Sequence, residues 1–82
     1  MQIQLTIAQL ASAQTGRIVR LGADELHARE GKNGVWSYIL VSDSWPVKRE
    51  ARNASLEDAL FVLNASDEDY QTYQQEFIFG EL

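Results

Sequence analysis

The sequence predicts an α+β domain, with about five short antiparallel strands in residues 2–52 followed by helical structure from about Leu56 to Phe77 packed on the sheet. Three observations carry this reading. Apolar and polar residues alternate in one segment after another as far as Arg52, which is the period of a half-buried strand. Turn-forming residues separate those segments. From Ser55 the spacing becomes helical, with Leu56, Ala59, Leu60 and Leu63 at i, i+3, i+4 and i+7.

The elements follow in order. Gln2 to Ala8 places Ile3, Leu5 and Ile7 on one face and reads as a first strand. Thr6 to Ala13 reads equally as a short helix, and in that form it resembles the first helix of a helix-turn-helix domain. The strand is preferred because Gly16 leads into Arg17-Ile18-Val19-Arg20-Leu21, a β-branched alternating run where a recognition helix should stand. Gly22-Ala23-Asp24 reads as a turn and Glu25 to Arg29 as a third strand. Gly31-Lys32-Asn33-Gly34 is the clearest hairpin signal, since glycine and asparagine accept positive φ at little cost.

Val35 to Val41 is apolar on both faces except at Ser37, the mark of a central strand covered on both sides. Ser42 to Pro46 ends it. Val47 to Arg52 holds four charges in six residues, as an exposed edge strand does. Beyond it, Asn53-Ala54-Ser55-Leu56-Glu57-Asp58 is echoed eleven residues later by Asn64-Ala65-Ser66-Asp67-Glu68-Asp69. The echo predicts two helices capped alike with a break near Asn64, the alternative being one continuous helix. Tyr70, Tyr73 and Phe77 form the second stripe.

With 82 residues, 45% of them hydrophobic and 23% charged, the chain has the composition of one globular domain. So small a domain buries only about 60% of its unfolded surface, so Trp36, Trp45, Phe61, Phe77 and Phe79 are expected mostly inside. The absence of cysteine excludes disulfides, thiol catalysis and cysteine metal sites. Ala11-Ser12-Ala13 has the form of a signal-peptidase site, but no basic residue precedes Arg17 and Gln2, Gln4 and Gln9 interrupt the apolar run. A cytoplasmic protein without a membrane anchor is expected.

The segment Ser55-Leu56-Glu57-Asp58-Ala59-Leu60 resembles the strand-to-helix entry of small α+β domains, antitoxins of the HicB type among them. The resemblance covers six residues, and that family's glycine-rich strand region has no counterpart here, so it assigns no residue a role. In overall character a short, acidic, cysteine-free chain also resembles the small reading frames of bacterial prophages, which implies a particle, assembly or host-binding component.

Sites for chemistry are scarce. His27 is the only histidine and has no nucleophile-elbow serine to serve. Asp67-Glu68-Asp69 lacks the spacing and glycine of a calcium loop and reads as a solvated helix start. No Walker or dinucleotide fingerprint occurs, and no cofactor or metal is expected. Asn53-Ala54-Ser55 and Asn64-Ala65-Ser66 match the glycosylation acceptor but read as helix caps. Trp36 and Tyr38 share one face of the central strand and Trp45 follows it. These aromatics read first as core and second as a protein-binding patch.

Charge is laid out unevenly. Residues 1–53 hold all seven bases against five acids, whereas residues 54–82 hold seven acids and no base. Two readings follow for the acidic segment with Asp67, Glu68 and Asp69. It lies beside Lys48, Arg49 and Arg52 of its own chain, or it meets a basic partner or that strand of another copy. A net charge of −5 opposes nucleic-acid binding. The expected function is therefore a non-enzymatic protein-binding or assembly module, with a small DNA-binding regulator or an antitoxin-like protein as the alternative.

Overall fold

The computed structural model describes residues 4–42 and 46–74. Seven elements follow one another: α1 (Ile7–Gln14), β1 (Val19–Leu21), β2 (Asp24–Glu30), β3 (Trp36–Ser42), β4 (Val47–Ala54), α2 (Leu56–Asn64) and α3 (Asp67–Gln74). The strands form one antiparallel meander in the order β1-β2-β3-β4. The α+β class with helices after the sheet is thus observed. The described residues hold four strands, one fewer than the alternation predicts.

The missing strand is a helix. Residues Gln4–Thr6 are irregular and α1 begins at Ile7, while Gln2 and Ile3 of the expected strand lie outside the described residues. The cause is local. Thr6 Oγ1 accepts from the Gln9 amide at 3.2 Å and Gln9 Oε1 accepts from the Thr6 amide at 2.8 Å, a reciprocal capping box that closes the first turn. Helical geometry then turns Leu10 and Ala13 inward and leaves Ile7 about half exposed, where a strand would have buried Ile7. Gly16 leads on into β1, so α1 has no recognition helix behind it.

The hairpin between β2 and β3 forms at Gly31–Gly34 as its composition requires. Gly34 has φ +75°, and the Gly31 amide donates to the Val35 carbonyl at 2.8 Å. A Cβ on Gly31 would stand 2.9 Å from that carbonyl oxygen, so the close backbone approach excludes a side chain there. The Gly22 turn is shorter than expected, because Asp24 already pairs with Ser42 as the first residue of β2.

Edge strand β4 departs from strict alternation. Its register with β3 shifts between the Trp36–Ala54 and Tyr38–Ala51 pairs, and Asn53 absorbs the extra residue at φ 47°. The bulge lets Ala51 and Ala54, three residues apart, both face inward and both be buried. Their small side chains, with Ala59, allow α2 to lie close to β4.

One hydrophobic cluster joins the layers: Leu5, Leu10 and Ala13 from the N-terminal segment, Leu26, Tyr38 and Leu40 from the sheet, and Val62, Leu63 and Tyr70 from the helices. The opposite face of the sheet carries Arg20, Glu25, His27, Arg29, Ile39 and Glu50, all half-buried or exposed, together with Val41, which is buried outside the main cluster. Strand β3 is therefore central, but the described helices pack on one side of it rather than both. Among the described residues no helix is long and apolar enough to cross a membrane.

The two capped helices predicted by the sequence echo are observed, with the break where it was expected. Ser55 Oγ accepts from the Asp58 amide and Ser66 Oγ from the Asp69 amide, each at 3.2 Å, while Ala65 between the helices is extended. Asn64, the last residue of α2, has a second task. Its Oδ1 accepts from the Leu5 amide at 2.8 Å and its Nδ2 donates to the Leu5 carbonyl at 3.1 Å. Asn64→Ala is expected to cost about 1–2 kcal/mol, two partly buried hydrogen bonds less what water restores. Amide exchange at Leu5 should accelerate by about tenfold or more while the β3 amides keep their protection. Unchanged exchange at Leu5 would show that the clasp holds nothing.

Candidate functional site

Helix α2 contains an unbroken apolar run, Ala59-Leu60-Phe61-Val62-Leu63. Five such residues exceed the width of one buried stripe. At about 100° per residue, Phe61 stands roughly 200° from Ala59, so burying Ala59, Val62 and Leu63 drives Phe61 outward. It is 66% exposed, which corrects the expectation that its size would place it inside. Leu60 is half-buried at the boundary, and with Glu57, Phe61, Asn64, Ala65 and Asp69 it lines an open groove between α2 and α3.

The charge around the groove follows from the helix starts. Glu57 and Asp58 lie in the first turn of α2, and Asp67, Glu68 and Asp69 in the first turn of α3, where the helix dipole favours anions. Of these five exposed acids only Asp67 has an ion pair among the described residues, to Arg49 Nη2 at 2.7 Å. The groove therefore has an aromatic centre flanked by the uncompensated carboxylates of Glu57 and Asp69.

Arg49 explains where the rest of the internal compensation went. No basic residue lies in the last turn of α2. The guanidinium supplies that charge from β4: its Nη1 donates to the carbonyls of Val62 at 3.4 Å and Leu63 at 3.1 Å and to that of Ala65. Its Cζ lies 5.0 Å from the centroid of the Tyr70 ring. The Tyr70 hydroxyl in turn accepts from the Glu50 amide at 2.7 Å, so α3 satisfies a backbone donor on the free side of β4.

The other bases of that strand are also engaged. Lys48 Nζ lies 3.1 Å from the buried carboxylate of Asp24, and Arg52 Nε 2.8 Å from Glu50. The strand that reads as a basic cluster thus has each of its three charges paired within the chain, and only one pair reaches the acidic segment. Arg17, Arg29 and Lys32 make no ion pair among the described residues, and Arg20 reaches Glu25 only at 3.7 Å.

The aromatic candidates separate. Tyr38 is wholly buried in the core, so it offers no surface to a partner. Its hydroxyl accepts from Gln14 Nε2, which ties α1 to β3. Burial pushes the phenol above its ordinary value of 10.0, and the Gln14 hydrogen bond draws it partly back. The folded state therefore holds this proton more tightly than the unfolded chain, and its contribution to stability is lost as pH rises past 10. Trp36 is half-buried against the core. Trp45, Phe77 and Phe79 lie outside the described residues.

No structural pairing brings Trp36 and Tyr38 together with Asp67, Glu68 and Asp69 as one site. Sequence reasoning missed Phe61 as a surface residue, although its angle on the helix carried the signal. His27 stands on the opposite face of the sheet, 3.2 Å from Glu25 Oε1. Among the described residues no group of three or more histidine, aspartate or glutamate side chains could hold a metal ion. Set against family models, curated proteins and solved structures, the chain matches none.

Proposed function

We propose that this chain is a non-enzymatic protein-binding or assembly module, of the kind prophages carry, that presents the Phe61 groove to a partner bearing an apolar side chain flanked by bases. The observation that carries the reading is the exposure of Phe61 between Glu57 and Asp69. Covering a phenylalanine side chain contributes about 1.5–3 kcal/mol, whereas each exposed ion pair adds about 0–1. The aromatic therefore supplies affinity and the carboxylates supply orientation and selectivity.

Selection from a displayed library of random peptides tests it. Enriched peptides should combine an aliphatic or aromatic residue with nearby lysine or arginine. Phe61→Ser should weaken their binding by about tenfold or more, the size of an interface hot spot. The same replacement should change stability by less than about 0.5 kcal/mol, because the ring is mostly in water. Glu57→Gln with Asp69→Asn should weaken binding chiefly at low salt. A library that yields no such peptides, or binding indifferent to both sets of replacements, would refute the proposal.

A further inference from the structure

We infer that the groove's partner is the β1 edge of a second copy of this chain, joined head to tail. The inference rests on the reading of Phe61 as a binding residue and adds the identity of what covers it. The complementary surface lies at the other side of the sheet. Ile18, 53% exposed, sits between exposed Arg17 and β1, and Arg29 is exposed on β2. Strand β1 has three residues and pairs only with Asp24–Leu26, so among the described residues the His27–Glu30 half of β2 has no strand on that side. An apolar side chain with unpaired bases beside it is the counterpart of Phe61 with Glu57 and Asp69.

Three considerations favour this occupant. One copy cannot satisfy itself, because β1 and β4 are the outer strands of a four-stranded sheet and stand about 14 Å apart. That exceeds the screening length of about 10 Å at 0.1 M salt, and α2 with its groove packs against β4. The basic strand β4 is unavailable, since Lys48, Arg49 and Arg52 are paired internally. Symmetric pairing is opposed on both surfaces: groove against groove sets carboxylates together, and β1 against β1 sets Arg20 near Arg20. What remains is a heterologous contact, which propagates instead of closing at a dimer.

Sedimentation velocity of the full chain tests this. At low salt the weight-average sedimentation coefficient should rise continuously from about 10 μM to about 1 mM, and it should return to the monomer value near 0.5 M salt. Phe61→Lys destroys the groove and leaves the edge, whereas Arg17→Glu with Arg29→Glu destroys the edge and leaves the groove. Each variant alone should stay monomeric, with association on the order of tenfold or more weaker. An equimolar mixture of the two should form a one-to-one complex and nothing larger.

Ile18→Ser provides an edge variant without charge reversal and should behave like the double reversal. A wild-type chain that stays monomeric throughout, variants that still assemble, or a closed dimer untouched by these replacements would overturn the inference. If the wild type stays monomeric while basic peptides still bind through Phe61, only the second copy is excluded and the groove stands. If neither occurs, both fail.

Discussion

Replacing Arg49 by methionine is expected to lower the melting temperature by roughly 10–25 °C, corresponding to about 2–4 kcal/mol in a domain of this size. Methionine keeps the apolar stem and removes the charge. The carbonyls of Val62, Leu63 and Ala65 then lose their donor, the end of α2 loses the cation beside it, and the Tyr70 ring loses the guanidinium over its face. The side chain is only 15% exposed, so water restores little of this. Arg49→Lys should recover a minor part, because an ammonium lacks the planar fork that reaches three carbonyls and Asp67 together. Asp67→Asn isolates the surface pair and should cost less than about 1 kcal/mol, since that carboxylate is almost wholly in solvent. A drop of less than about 5 °C for Arg49→Met would show that the helix end is satisfied without it.

Leu10→Ala is expected to cost about 2–5 kcal/mol in urea unfolding, and Ile7→Ala less than about 1 kcal/mol. Leu10 is fully buried under α1, while Ile7, three residues before it, is half exposed. The two replacements separate the two ways of reading the N-terminus. In a strand holding Ile3, Leu5 and Ile7 on one face, Ile7 would be the costly loss and the order would invert. Equal losses would mean that neither period describes the segment.

Why the sequence misled there is physical. Period-2 alternation from Gln2 to Ala8 and a capping box at Thr6 and Gln9 overlap in the same few residues. The box wins because it satisfies two amides at the helix start, whereas a strand would need a neighbour in the sheet. The hairpin at Gly31–Gly34 and the paired serine caps were legible because each is decided by local backbone preference, and the position of β3 between two strands because its apolar run marks burial. Phe61 was misplaced by an argument from size that ignored its angle on α2. The pairing of Arg49 with Asp67 belongs to one of the two readings of the acidic segment, but its hold on the end of α2 was not legible: a charge in an edge strand looks like protection of that edge until the end of α2 is known to lie beside it.

The Leu5–Asn64 clasp also orders events in time. Its partners are 59 residues apart, whereas the four strands are joined as a meander of near neighbours. Closing so long a loop costs entropy before any contact repays it. Helix α1 packs on β2, its near neighbour in sequence, so the contacts expected to close late are the hydrogen bonds between Leu5 and Asn64. Until α2 packs on β4, the backbone of Leu5 lacks these two partners and the inward side of β4, with Ala51 and Ala54 on it, stands open.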